Sequence, residues 1–167
     1  MTFPEGETEL QKEEEEKMSQ SLTKIYLHII FGTKNREKVI DQSTKPELIK
    51  YMAGILKKID CAPIKIGGTS NHMHLLTTLP RTNSLSDIIK TTKIESSKWI
   101  KTKGRHYQNF HWQKGYGAFS VSQSHVDKVE NYILNQEEHH KKKTFKEEYL
   151  EFLNKYKIEY DEKYIWE

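Results

Sequence analysis

The sequence predicts an α+β domain of the ferredoxin-like, split-βαβ kind. One antiparallel sheet should carry helices on one face, with extra helices at the C-terminus. Three observations lead there. Apolar, β-branched runs and helical stripes succeed one another in the order β-α-β-β-α-β before the final helices. Glycine, proline and capping residues separate them at short intervals. The 167 residues suit one domain with its own core and contain no internal repeat.

Each element has a local reason. "TKIYLHIIFGTK" is β-branched and aromatic without a helical period, and reads as a first strand over about Lys24–Thr33. In "STKPELIKYMAGILKKID", Ser43 or Thr44 can cap and Pro46 suits a first turn. Leu48, Ile49, Met52, Ile55 and Leu56 then share one face of a helix. "CAPIKIGG" gives a second strand whose glycine pair makes a turn or bulge, and "HMHLLTTLP" a third, ended by Pro80. "NSLSDIIKTTKIESSKWIKTKG" is a helix with Ser84 as cap, Asp87 three residues on, and Gly104 as the stop. A fourth strand lies near Gly117–Ser122. Ser124 with Asp127 then caps a helix through "HVDKVENYILNQEEHH". Thr144 with Glu147 forms a capping box that opens a last helix to about Tyr156. The expected organisation is an acidic, disordered tail (1–21), a main domain (22–143) and a helical extension packed on it (144–167).

Charge is distributed unevenly. Residues 1–20 hold seven Glu against two Lys, whereas residues 21–136 hold 18 Lys/Arg against eight Asp/Glu, a net of +10. Residues 137–167 come to −2. A basic middle interleaved with aromatic residues suits a polyanion, and a solvated lysine-rich surface explains the charge equally well. The single Cys61 excludes a disulfide framework and a Cys-rich zinc site. No apolar run approaches the roughly 18 residues of a membrane span, and no apolar signal segment is present, so the expected setting is a reducing cytoplasm.

The stretch "GGTSNHMHLL" sets His72 and His74 one residue apart in an apolar strand. Side chains alternate across a strand, so both imidazoles point to one face with Met73 opposite. Two adjacent imidazoles form a chelating pair for Zn, Mn, Fe or Co, or for Mg beside oxygen donors. A half-exposed pair without a metal fits the same spacing. Further on, Tyr132 and Gln136 are one helical turn apart, and His139 or His140 extends their stripe. By itself that pattern reads as an ordinary core tyrosine.

Together these features resemble the single-tyrosine HUH transposases of bacterial insertion sequences (IS200-like), including the repeat-associated tyrosine transposases. The stretches that carry the resemblance are "YLHIIFGTKNRE", "GGTSNHMHLLTTLP", "KTTKIESSKWI", "WQKGYGAFSVSQS" and "YILNQEEHHKKKTFKEEY", in family order from about residue 22 to the C-terminus. Met73 stands where the family has a bulky apolar residue between the histidines.

The resemblance implies a function. His72 and His74, with the amide oxygen of Gln136, would hold one Mg or Mn ion that positions a scissile phosphate of single-stranded, hairpin-forming DNA. Tyr132 would be the nucleophile, leaving a 5′-phosphotyrosine link and a free 3′-hydroxyl. The implied assembly is a homodimer with two composite sites, the tyrosine helix of one protomer docking on the histidine pair of the other. Lys34, Arg36, Lys90, Lys93 and Lys98 are the candidate phosphate contacts. Trp112, Tyr116 and Phe119 could stack on bases or fill the core. His28 could sit beside the metal or be structural, and His139 and His140 could join its shell or end a solvated helix. Two other functions compete: a non-catalytic binder of single-stranded or hairpin DNA, and an HxH zinc hydrolase using water. The hydrolase wants a third histidine or a carboxylate ligand at recognisable spacing.

Overall fold

The computed structural model describes residues 21–167, so the acidic tail lies outside the described residues apart from Ser21. Nine elements follow in order: β1 (Tyr26–Gly32), α1 (Lys45–Lys58), β2 (Pro63–Gly68), β3 (His72–Thr78), α2 (Leu85–Lys101), β4 (Gly117–Val121), α3 (Val126–Leu134), α4 (Gln136–His139) and α5 (Phe145–Lys155). The strands form one antiparallel sheet in the order β2-β3-β1-β4. This is the split-βαβ topology: β3 lies between β1 and β2, and β4 adds at the far edge. Among the described residues no helix is long and apolar enough to cross a membrane.

Strand alternation divides the sheet into two faces. Leu27, Ile29 and Phe31 of β1 and Met73 and Leu75 of β3 pack against Leu48, Met52 and Leu56 of α1 and Ile88, Ile89 and Ile100 of α2. Burying each such side chain stabilises by roughly 1.5–3 kcal/mol, so this layer is the main core. The caps read from the sequence hold α2 and α5 in place. The Asp87 amide donates to Ser84 Oγ at 3.1 Å. Thr144 and Glu147 form the reciprocal capping box.

Three local expectations are corrected. Thr44 precedes α1 but makes no side-chain cap bond. Ser124 does not cap the next helix: a 3-10 turn over Gln123–His125 comes first, and α3 begins at Val126. That helix does not run on to His140. It breaks at Asn135 (φ −97°, ψ 20°), and Gln136 starts the separate turn α4. The second sheet face is covered as well. Leu76 packs with Val126 and Ile133 of α3, and Ile30 packs with Phe145, Tyr149 and Leu153 of α5.

The "GG" of the β2–β3 hairpin has a steric reason. A Cβ on Gly68 would sit 2.2 Å from the His72 carbonyl oxygen. One on Gly67 would meet the Ile133 side chain and carbonyl oxygen, both at 2.9 Å. The end of α3 therefore rests directly on β2. Gly67→Ala should force these backbones apart, and the expected loss of stability is about 1–3 kcal/mol. Gly54→Ala is the control, since its added Cβ meets nothing within 4 Å. It should be neutral or stabilising by about 0.5–1 kcal/mol, as alanine replaces glycine within a helix. Urea midpoints of the two variants measure both.

Candidate metal centre

His72 and His74 leave β3 on the face covered by α3, α4 and α5. Their Nε2 atoms converge with His140 Nε2 and a carboxylate oxygen of Glu148, all four ligand atoms lying within 4.8 Å of one another. Gln136 completes the group: its Oε1 is 3.1 Å from His72 Nε2 and 3.0 Å from His140 Nε2. The orientation of that amide follows from its other end, where Nε2 donates to Glu148 Oε2 at 3.2 Å. His72 and His74 are 0% exposed and Gln136 and Glu148 1%, so water contributes nothing to balancing these polar groups.

Glu148 is the hub. Tyr132 donates its phenolic proton to Glu148 Oε2. His74 Nε2 lies 2.9 Å from Oε1, His72 Nε2 lies 3.4 Å from the same atom, and His140 Nε2 lies 3.3 Å from Oε2. Burial pushes this carboxyl upward, but the hydrogen bonds of His140, His72 and His74 outweigh it and hold Glu148 well below the usual carboxylate range. Tyr132 moves the other way. Burial first, then the Glu148 charge, raises its phenol well above its ordinary value. The tyrosine is thus a neutral donor in this state. Its ring stacks on His139, 4.7 Å between centroids.

The donor set fits a divalent cation. The His72 Nδ1 proton has acceptors in Asn71 Oδ1 at 2.8 Å and Thr69 Oγ1 at 2.9 Å, which leaves a lone pair on the inward Nε2. Burial lowers the pKa of His72 to about 4, so the ring is neutral at pH 7. With the ring proton on Nδ1, that lone pair can hold a cation in place of the hydrogen bond that His72 otherwise gives Glu148. The histidine nitrogens, one amide oxygen and one carboxylate suit an ion of intermediate hardness.

The other candidates are scattered. Lys90 and Lys98 are exposed on α2, beyond the opposite sheet face, and Lys98 pairs with Glu95. Lys93 is also on α2, and its ammonium donates to the carbonyls of Gln113, Lys114 and Gly115 at 2.8, 3.2 and 2.7 Å. Lys34 is exposed, and Arg36 lies over the Trp166 ring at 4.4 Å. Trp112 and Phe119 are core residues, while Tyr116 is partly exposed. A cleft of about 410 Å³ opens beside the cluster, lined by Lys38, Ser70, Asn71, His140, Lys141 and Lys143 among others.

Glu148 is the residue that sequence reasoning missed. A signal was available: Phe145, Glu148, Tyr149 and Leu153 form the buried stripe of α5, and a carboxylate on an apolar stripe marks a partnered site.

Comparison with known proteins comes to the same region. The family described as "Transposase IS200 like" matches residues 21–136. A presumed transposase from Deinococcus radiodurans R1 shares the fold, with a TM-score of 0.57 and 21% identity over 71% of this chain and 95% of that one. A REP-associated tyrosine transposase, solved bound to a REP hairpin, aligns with a TM-score of 0.52 and 15% identity over 70% of this chain and 69% of its own. No curated protein matches the chain. Gln136 is the last residue of the family match, so His140 and Glu148 lie beyond it.

A pH dependence follows from His72. Its folded pKa, about 4, lies below the ordinary 6.5, so its contribution to stability is complete above pH 6.5 and is lost as pH falls toward 4. Glu148 adds to the loss below its ordinary 4.5. Denaturation in metal-free buffer should lose up to about 3 kcal/mol between pH 7 and pH 4 through His72 alone. His72→Gln should remove that part of the slope.

Proposed function

The chain belongs to the IS200-like transposase family, and from that premise we propose that it nicks and rejoins single-stranded DNA with Tyr132 as nucleophile. The observation that carries the reading is the meeting of the Tyr132 phenol and the HxH nitrogens on one buried carboxylate, Glu148. His72 Nε2, His74 Nε2 and Gln136 Oε1 would hold Mg or Mn, with His140 and Glu148 in reach. The nitrogen-rich set favours Mn. When bound, the cation would supply Lewis-acid charge that orients and polarises the scissile phosphate.

The side chains do the remaining chemistry. Tyr132 Oη attacks phosphorus in line while its proton passes to Glu148 Oε2, the acceptor it already touches. The bond to the 3′ oxygen breaks and that oxygen takes a proton from solvent. A 5′-phosphotyrosine and a 3′-hydroxyl result, and the reverse attack rejoins strands without an external energy source. The lysine-lined cleft beside His140 is the approach for the strand. A related fold solved with a REP hairpin supports hairpin DNA as the ligand. Residues 144–167 count as part of the catalytic unit with 22–143, because Glu148 comes from them.

One chain by itself can assemble the site, and a homodimer with sites shared between protomers is the alternative assembly. Tyr132 bonds Glu148 of its own chain, and Ile133 is seated on Gly67 of the same sheet. A shared site would need α3 exchanged between protomers. A zinc hydrolase gains from His140 and Glu148, which supply the third histidine and the carboxylate it lacked.

Tyr132→Phe should abolish the covalent adduct with a hairpin oligonucleotide, seen as a shifted gel band, while binding stays near wild type. Chelator should stop cleavage and Mn restore it. Strand hydrolysis supported by zinc alone, with no adduct, would select the hydrolase instead. Mixing Tyr132→Phe with His74→Ala protein should leave cleavage dead. Recovered activity would mean that sites are shared between protomers.

A further inference from the structure

The two inner histidines are served by different outer partners. His72 turns its Nδ1 to Asn71 and Thr69 at the hairpin. His74 is flanked by sheet and has one partner for Nδ1 among the described residues: His28 Nε2, at 2.7 Å. His28 lies on β1, beside the β3 partner of its neighbour Ile30, and reaches His74 diagonally across the strand pair. Its ring is buried, with Phe152, Tyr132 and Phe119 edge-on at 5.2, 6.3 and 6.5 Å.

The sense of this one hydrogen bond decides what His74 can do. If His28 donates, the proton of a neutral His74 is on Nε2, pointing at Glu148, and that atom has no lone pair for a cation. If His74 donates from Nδ1, its Nε2 lone pair faces the cluster, as that of His72 does. We propose that His28 is the positioning residue that fixes His74 as an Nε2 ligand by accepting its Nδ1 proton. His28 itself then carries its proton on Nδ1. An outer acceptor of this kind sets both the tautomer and the orientation of a ligating imidazole. A histidine kept only for packing would have no preferred sense. The inference rests on the metal reading above.

The test separates the two. Binding of Mn²⁺ is measured by the electron paramagnetic resonance of the free ion, for wild type, His28→Gln and His28→Phe. Glutamine keeps an acceptor at about the reach of imidazole Nε2, and phenylalanine keeps the bulk without one. His28→Phe should bind about 10- to 100-fold more weakly, with His28→Gln close to wild type. Equal affinity in all three, or equal loss in both variants, overturns the proposal while leaving the metal site standing. No binding by wild type overturns the metal reading and this inference with it. Ring ¹⁵N shifts of Mg²⁺-loaded wild type decide the matter without any variant: His74 must show a protonated Nδ1, and His28 a bare Nε2.

Discussion

A carboxylate with 1% exposure has to be compensated by groups the protein supplies, and Glu148 draws them from every part of the second sheet face. Tyr132 comes from α3, Gln136 from α4, His140 from the turn after it, and His72 and His74 from β3. Losing one partner leaves the rest of a buried charge exposed to its full desolvation cost, several kcal/mol per ion. The chain breaks at Asn135, between two of these partners, Tyr132 and Gln136. A continuous helix would have put Gln136 and His140 on the Tyr132 stripe. After the break the amide and the imidazole reach Oε2, the same carboxylate oxygen that the phenol bonds.

What was legible in the sequence follows the range of the interactions. The parity of His72 and His74, the apolar stripe of α1, the Ser84 cap of α2 and the capping box of α5 depend on neighbours within a few residues, and each is found as read. The end of α3 was missed, because Asn135 is only a weak local stop in "ILNQEEHH" against a continuing helix. Beyond the break Gln136 meets Glu148, a residue 12 positions further on. The covering of the second face escaped for the same reason. The four-strand pattern predicts which residues share a face, but which helix lies over them depends on Ile30, Phe119 and the α5 stripe meeting in space. Lys93 shows the limit for surface charge. Its sequence context is that of any helix lysine, yet burial lowers its pKa to about 8 and three carbonyls hold it.

The carboxylate also sets a conflict within the site. As acceptor for the tyrosine it is the obvious base; as neighbour of three imidazoles it is a natural ligand. Full engagement in either role weakens the other, because a carboxylate whose lone pairs bind a cation takes a phenolic proton less readily. The two oxygens are already divided, Oε2 toward Tyr132, Gln136 and His140 and Oε1 toward His72 and His74.

Positive charge is divided by the sheet in the same way. The basic excess of the middle of the chain looked like one surface in the sequence, but Lys90 and Lys98 lie on α2, across the sheet from the histidines. Charges more than a Debye length away, about 8 Å at physiological ionic strength, are largely screened at the cluster. They can raise the encounter rate of a polyanion without fixing the register of any phosphate. Lys38, Lys141 and Lys143 stand at the cleft near His140. Two of these are tethered, Lys141 to Glu138 at 2.7 Å and Lys143 to Glu151 at 2.5 Å. A polyanion entering there would exchange one anionic partner of these lysines for another.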